Sequence, residues 1–258
     1  MGVDRPAVHA GPWFPPVAGA PVEGLPLLCL PHAGGGATAY RTWPHALTPY
    51  ARAVPVQLPG REDRFGEPPV RSAAVLAAQL ADAVAAHPVT RDGCALFGHS
   101  MGALLAFELA HELIARGRPP VHVFVSAYRA PQLPRRTRDV HLRDDAGLCE
   151  FLAELEGTQA ELLRHPELLE VLLPVIRADF ELCETYRYRL RRRLDVPVTV
   201  LGGRHDEGVP PEDLDAWAEV SGERFAVELF DGGHFYLRQR QAAVLSVVAE
   251  ALRGRRRA

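Results

Sequence analysis

The chain has 258 residues, of which 47% are hydrophobic and 24% charged, a balance that fits one α/β domain with a sizeable buried core. The net charge of −3 excludes a strongly basic protein, and the short arginine runs at 191–193 and 253–257 lack interleaved aromatic residues, so we expect no nucleic-acid partner. No apolar stretch reaches the roughly 18 residues of a membrane helix, and we expect a cytoplasmic protein without a signal peptide or membrane contact. The four cysteines are widely separated and predict neither a disulfide framework nor a metal site.

The N-terminal part of the chain predicts an arm, a strand and a glycine-rich loop. Residues 1–24 are rich in proline, glycine and alanine, which is typical of an extended arm, with Trp13 and Phe14 as its anchors. The apolar run 25–30 predicts a buried strand and leads into Pro31-His32-Ala33-Gly34-Gly35-Gly36. Three successive glycines allow backbone N–H groups to turn toward a bound oxygen, so we interpret this loop as half of an oxyanion hole. A flexible turn is the alternative.

Strand and helix patterns then alternate. Residues 51–58 predict a strand, and Ser72 suits the N-cap of a helix that runs to Ala86. The buried face of that helix is expected to carry four aliphatic residues, Val75, Leu76, Leu80 and Val84. Residues 121–127 predict a fully buried strand of the kind found in parallel sheets. The alternation predicts a doubly wound, mostly parallel central sheet with helices on both faces.

A Gly-x-Ser-x-Gly pattern, Gly98-His99-Ser100-Met101-Gly102, lies between the apolar run 94–97 and the helix-like segment 103–115. A serine in such a strand-to-helix turn adopts a strained backbone conformation that exposes its hydroxyl, and the flanking glycines remove side chains that would collide. The pattern predicts a nucleophilic Ser100. The alternative is a glycine-rich turn with a surface serine.

The alternation breaks between Tyr128 and Asp195, a stretch far longer than the dozen or so residues that a crossover requires. Apolar residues recur there at helical spacing in two groups, Leu148, Phe151, Leu152 and Leu155, then Ile176, Phe180 and Cys183 in a segment opened by Pro174. We interpret residues 128–195 as a helical lid inserted over the site, with its apolar faces, including Phe151 and Phe180, in contact with the substrate. A helical decoration without a binding role is the alternative.

Two candidate catalytic residues follow the last two predicted strands. The strand at 196–201 leads to Asp206, and the strand at 225–230 leads to His234. Because the carboxyl ends of parallel strands share one edge of the sheet, Ser100, Asp206 and His234 are expected to converge. An imidazole can take the serine proton and a carboxylate can orient that imidazole, so His234 is the predicted base and Asp206 its partner.

Three nearby residues are rivals for these roles. His99 lies inside the serine turn and His205 belongs to the loop of Asp206, so both are expected to pack or to form local hydrogen bonds. Asp231 precedes His234 by three residues and is the rival acid, but we expect it to cap its own loop.

Six segments of the chain resemble motifs of the type II thioesterases of polyketide and nonribosomal peptide biosynthesis. They are Leu30-Pro31-His32-Ala33-Gly34-Gly35, Gln57-Leu58-Pro59-Gly60-Arg61-Glu62, Phe97-Gly98-His99-Ser100-Met101-Gly102, Arg129-Ala130-Pro131, Arg177-Ala178-Asp179-Phe180 and Gly232-Gly233-His234-Phe235. The resemblance covers nearly all of residues 25–250 and implies an α/β-hydrolase fold. The expected organisation is an arm at 1–24, a core at 25–127 and 196–252, a lid at 128–195 and a basic tail at 253–258.

The resemblance implies a stand-alone hydrolase that removes acyl groups from the phosphopantetheine arm of acyl or peptidyl carrier proteins, with no cofactor. It also implies that Ser100 is the nucleophile, Asp206 the acid and His234 the base. The backbone N–H groups of Ala33 and Met101 would form the oxyanion hole. The acid loop often reads Asp-x-Asp-Pro or Asp-Asp-Pro in this family, whereas here it reads Arg204-His205-Asp206-Glu207. The second aspartate position is retained as Asp206, and Glu207 adds an acid next to the predicted triad.

Two other functions stay open at this point: a general carboxylesterase or lipase, and a non-catalytic protein that binds carriers. Carrier proteins of this kind are acidic, so arginines near the predicted site mouth are candidate docking residues. They are Arg61, Arg64, Arg129, Arg135, Arg136 and Arg138. We expect the chain to be a monomer.

Overall fold

A computed structural model of the chain describes residues 12–17, 23–134, 139–154 and 166–253. The predictions for most of the arm, for the tail beyond Arg253, and for Leu155, Arg135, Arg136 and Arg138 lie outside the described residues. Within the described ranges, no helix combines the length and the hydropathy that a membrane span requires.

The described strands form one parallel sheet. They are β1 (Leu25–Leu30), β2 (Ala51–Pro55), β3 (Ala95–His99), β4 (Val123–Ser126), β5 (Val198–Gly203) and β6 (Phe225–Phe230). Their order is β2-β1-β3-β4-β5-β6, and every neighbouring pair is parallel. The order reverses at β1, which lies between β2 and β3, and such a switch point opens a crevice at the carboxyl ends of the strands. The predicted parallel sheet is confirmed, although β2 ends earlier and β4 and β5 begin later than the sequence suggested.

Helices cover both faces of the sheet. The described α-helices are α1 (Trp43–Ala46), α2 (Ala73–Ala86), α3 (Met101–Ala115), α4 (Asp145–Glu154), α5 (Pro166–Thr185), α6 (Pro211–Asp215), α7 (Tyr236–Gln239) and α8 (Gln241–Leu252). Side chains alternate along a strand, so Leu28 of β1 packs in the cluster with α2 and α3, while Leu27 packs in the cluster with α1 and α8. This division gives two apolar cores, one on each face.

Helix α2 begins after Ser72, as predicted, but one residue on its expected buried face is misplaced. Leu76, Leu80 and Val84 are buried, whereas Val75 is 50% exposed. The buried residues recur every four positions, and Val75 is turned about 100° away from Leu76 around the helix axis. The prediction for Val75 was wrong because it relied on hydrophobicity, whereas the position of Val75 around the helix places it outside the buried stripe.

The segment between β4 and β5 contains α4 and α5, which share a small apolar cluster. This cluster consists of the buried residues Val140, Leu148, Leu152, Leu173 and Ile176. Pro174 does not open the second helix, because α5 begins at Pro166 and includes it. A proline within a helix removes one backbone donor and tends to kink or end the helix. Here the helix continues, with Leu173, Val175 and Ile176 buried around the proline.

Candidate active site

Ser100 occupies the turn between β3 and α3 with a backbone conformation that is rare outside glycine. Its φ is 54° and its ψ is −121°, and its N–H donates to the Ser126 carbonyl at 2.8 Å. A Cβ at Gly98 would lie 1.9 Å from the Gly102 carbonyl oxygen, and a Cβ at Gly102 would lie 2.2 Å from the Leu30 carbonyl oxygen. Both glycines are therefore required for the start of α3 to pass between β3 and the end of β1.

A chain of hydrogen bonds joins the three residues that the sequence predicted to converge. His234 Nε2 lies 3.0 Å from Ser100 Oγ, and His234 Nδ1 lies 2.7 Å from Asp206 Oδ2. The other Asp206 oxygen, Oδ1, accepts from the backbone N–H groups of Gly208 at 3.0 Å and Val209 at 3.2 Å. The carboxylate thus faces Nδ1 and favours a proton there, which leaves Nε2 free to accept from the serine hydroxyl.

The rival residues make other contacts. His99 is fully buried, and its Nδ1 lies 2.8 Å from Ser126 Oγ, which is in turn 2.7 Å from the Tyr236 hydroxyl. His205 Nε2 lies 3.2 Å from Asp231 Oδ1, and Asp231 also pairs with Arg240 at the protein surface. The expectation that His99 and His205 form local hydrogen bonds is confirmed. Glu207 is exposed to solvent.

Two histidines near His234 are uncharged at neutral pH. Burial lowers the pKa of His32 to about 4 and holds the pKa of His99 well below its ordinary value of 6.5. The ring centre of His99 lies 5.4 Å from that of His234. Neither ring therefore adds a positive charge that would oppose proton uptake by His234.

The two predicted oxyanion-hole residues lie in the serine turn and in the glycine loop. Met101 is the first residue of α3, where a backbone N–H has no partner within the helix. Ala33 belongs to the loop after β1 and lines the same cavity as Ser100 and His234. The close approach of Gly102 to the end of β1 brings this loop and the helix start together.

An apolar cavity of about 230 Å³ opens beside Ser100 and His234. Phe151 of α4 and Phe180 of α5 line it, and their rings meet edge to face with centres 5.5 Å apart. Leu148 and Leu152 were also expected to face the substrate, but both are fully buried inside the cluster between α4 and α5. Ile176 lines a second cavity, which also includes residues of the glycine loop. Helical spacing identifies one apolar face but cannot say which of its residues meet a neighbouring helix.

The prediction of docking arginines is wrong for Arg61 and Arg64. Both are buried, the first paired with Asp179, the second paired with Glu67 and stacked over the Trp13 ring at 4.0 Å. Arg129 is mostly buried 3.6 Å from the Asp213 carboxylate. The planar guanidinium group suits buried contacts with carboxylates, and sequence position alone does not distinguish this use from a surface charge.

Arg61, Asp179 and Gln57 belong to segments of the family resemblance for which sequence reasoning gave no physical role. In the structure they surround the glycine loop. The available signal was that all three residues lie in segments that resemble the family. Their spacing in the sequence did not show that they meet.

A serine in a strained strand-to-helix turn, in contact with a histidine that a buried carboxylate orients at the carboxyl edge of a parallel sheet, defines a serine hydrolase of the α/β-hydrolase class. Residues 25–252 match the thioesterase domain family, and the chain belongs to that family. It is therefore a hydrolase that acts on thioesters.

Three comparisons illustrate the relationship. The chain is 36% identical to the gramicidin S biosynthesis protein GrsT of Aneurinibacillus migulanus, over 89% of each chain. It is 36% identical to the thioesterase PikA5 of Streptomyces venezuelae, over 96% of this chain and 89% of PikA5. Among solved structures it is similar to the type II thioesterase BorB from the borrelidin biosynthetic cluster, with 40% identity, a TM-score of 0.86 and coverage of 96% of this chain and 100% of BorB. The predicted family and fold are confirmed.

Proposed function

We propose that this chain is a stand-alone thioesterase that hydrolyses acyl groups from the phosphopantetheine arm of carrier proteins in polyketide or nonribosomal peptide synthesis. The observation that carries the proposal is the hydrogen-bonded series Ser100, His234 and Asp206 beside an apolar cavity, in a member of the thioesterase family. The biosynthetic setting is supported by relatives named for gramicidin S and borrelidin biosynthesis. We also propose that the enzyme is a monomer and does not bind nucleic acid.

In the proposed first half-reaction, Ser100 Oγ attacks the thioester carbonyl carbon as its proton passes to His234 Nε2. The carbonyl electrons move onto oxygen, and the backbone N–H groups of Ala33 and Met101 stabilise the resulting oxyanion. Asp206 stabilises the imidazolium that forms. When the carbonyl re-forms, the C–S bond breaks and His234 returns its proton to the departing sulfur, which leaves an acyl-enzyme.

Water completes the reaction by the same route. His234 takes a proton from water as the oxygen attacks the ester carbon, and then donates it to Ser100 Oγ when the acid is released. A thiol has a pKa of about 8.5, so it leaves far more readily than an alkoxide and needs little protonation. The triad therefore tolerates varied acyl groups, and selectivity depends on the cavity and on the carrier.

The function is tested by comparing matched substrates. We expect kcat/KM for an acyl carrier protein to exceed that for the same acyl-CoA by tenfold or more, because contacts with the carrier position the thioester. Both should exceed the matched oxygen ester. Steady-state release of free acid measures each rate, with substrate incubated without enzyme as the blank. Oxygen esters hydrolysed as fast as thioesters would indicate a general carboxylesterase, and equal rates on carrier and CoA would remove the carrier from the proposal.

The proposed role of Phe151 and Phe180 is to limit the length of the acyl chain. Phe180→Ala enlarges the cavity, and each methylene buried in the new space contributes about 0.8 kcal/mol, roughly a fourfold gain per carbon. We expect the ratio of kcat/KM for long over short acyl thioesters to rise about tenfold, and Phe151→Ala to act in the same direction. Phe65→Ala is the matched control, because Phe65 is 55% exposed and lines neither cavity described above. An unchanged chain-length profile for both variants would contradict the assignment.

A further inference from the structure

The glycine loop that contains Ala33 is held by a buried ion pair from two distant parts of the chain. Arg61 and Asp179 form a bidentate ion pair, in which Arg61 Nη1 donates to Asp179 Oδ2 at 2.6 Å and Nη2 donates to Oδ1 at 2.9 Å. Asp179 Oδ2 also accepts from the Gly34 N–H at 2.8 Å, and Arg61 Nη1 also donates to the Gly35 carbonyl at 3.2 Å. Each member of the pair therefore contacts the other and the loop.

The pair is not a surface feature. The side chains of Arg61 and Asp179 are 4% and 2% exposed. A buried ion pair usually adds little net stability compared with apolar residues of similar size, because both charges lose their hydration. Its contacts with the loop therefore suggest a role beyond holding the fold together.

These contacts determine the orientation of one peptide group. The peptide between Ala33 and Gly34 is held at its oxygen by His32 Nδ1, 2.9 Å from the Ala33 carbonyl, and at its nitrogen by Asp179. His32 is neutral at neutral pH, so its Nδ1 donates with its single ring proton. Three consecutive glycines would otherwise leave the loop many backbone conformations. Restraining this peptide also restrains the neighbouring N–H of Ala33.

Asp179 lies on α5, so the inserted segment supplies part of this restraint. The helix sits directly against the loop, since a Cβ at Gly34 would lie 2.9 Å from Ile176 Cγ1 of α5. On the core side, Gln57 accepts from the Ala37 N–H at 3.1 Å and donates to the Arg61 carbonyl at 2.8 Å. The loop is therefore held between the core and α5.

We propose that Arg61 and Asp179 are positioning residues that hold the Ala33 N–H toward the site where the oxyanion forms, so that α5 contributes to catalysis as well as covering the site. Hydrogen-bond donors stabilise a developing oxyanion most when they are already oriented before the reaction begins. The inference rests on the proposed function, in which Ala33 is one of the two oxyanion donors. Neither Arg61 nor Asp179 touches the reacting atoms in this scheme.

The test uses Arg61→Met/Asp179→Leu, which replaces both charges with apolar groups of similar size and leaves no unpaired buried charge. We expect kcat on an acyl thioester to fall roughly 10- to 100-fold. This is less than the roughly 10²- to 10³-fold loss for a deleted donor, because the Ala33 N–H is displaced and not removed. KM should change less than about threefold, and the pH dependence of kcat should keep its midpoint, because Ser100, His234 and Asp206 are untouched.

A transition-state analogue separates orientation of the oxyanion hole from general damage to the fold. Ser100 Oγ adds to the carbonyl carbon of a trifluoromethyl ketone, and the serine proton passes to His234. The carbonyl oxygen of the ketone becomes an oxyanion, as in the reaction. The affinity for this ketone should fall in parallel with kcat/KM, whereas the affinity for an unreactive thioether analogue should stay within about twofold. A variant weakened only in its packing would lose affinity for both compounds or for neither.

Glu181→Gln is the matched control, because Glu181 lies on the same helix and pairs with Arg71 at a more exposed position, away from the loop. Its kcat should stay within about twofold of wild type. If the double variant does not fold, Asp179→Asn serves instead, because its amide has one oxygen where the carboxylate has two. Its NH₂ group then faces either Arg61 Nη2, or Arg61 Nη1 and the Gly34 N–H, and cannot accept from them. A folded variant of the pair with kcat and ketone affinity equal to those of Glu181→Gln would overturn the inference. Absent thioester hydrolysis by wild type would refute the proposed function itself.

Discussion

Ser100→Ala is expected to lower kcat for acyl-thioester hydrolysis by about 10⁵-fold or more while the protein stays folded. The substitution removes the attacking oxygen, and only the oxyanion donors and substrate binding remain to assist water. Folding should be nearly unaffected, because the serine side chain does not cap α3 and, within the described part of the chain, its hydroxyl bonds only to His234. Single-turnover rates measure the first effect and thermal unfolding the second.

Ser246→Ala is the control for this substitution, because Ser246 is exposed on α8 and lines neither cavity described above. It should retain wild-type activity. The loss in Ser100→Ala should be accompanied by loss of labelling with a fluorophosphonate, which reacts with activated serines. More than a tenth of wild-type activity in Ser100→Ala would rule out Ser100 as the nucleophile.

Asp206→Asn is expected to lower kcat by about 10³- to 10⁴-fold. In the structure Asp206 Oδ1 accepts from the N–H groups of Gly208 and Val209, so the amide oxygen of asparagine takes that position. The amide NH₂ group then faces His234 Nδ1 and donates to it. This contact favours the tautomer with its proton on Nε2, which cannot accept the proton of Ser100.

Asp231→Asn and Glu207→Gln are the controls for the acid. Asp231 lies at the surface, where Arg240 lowers its pKa, and its carboxylate contacts His205 and not His234. Each control should retain kcat within about threefold of wild type. Equal losses from Asp206→Asn and Asp231→Asn would mean that the carboxylate of the proposed triad has been misassigned.

Much of the fold follows from local patterns in the sequence. The runs at β1 and β6 were predicted residue for residue, because short apolar runs between turn residues have few alternatives to a buried strand. The helices between β4 and β5 were predicted less well. Pro174 was interpreted as a helix start, and the structure places it within α5, where packing around it outweighs its local preference.

The proposed triad could be predicted because its geometry follows from topology. Ser100, Asp206 and His234 each come just after a strand, and parallel strands bring such positions to one edge whatever the details of packing. The glycines around Ser100 add a second local signal, since backbone contacts at their Cα atoms exclude any side chain.

The sequence by itself therefore determined the parallel sheet, the serine turn and the order of the three proposed catalytic residues, since these depend on periodicity and on local steric limits. Only the tertiary structure showed that Arg61 and Asp179, 118 residues apart, form a buried pair against the glycine loop. It also separated Phe151 and Phe180, which line the cavity, from Leu148 and Leu152, which pack between helices. Charge and hydrophobicity are properties of single residues, whereas burial and pairing depend on what the rest of the chain brings alongside them.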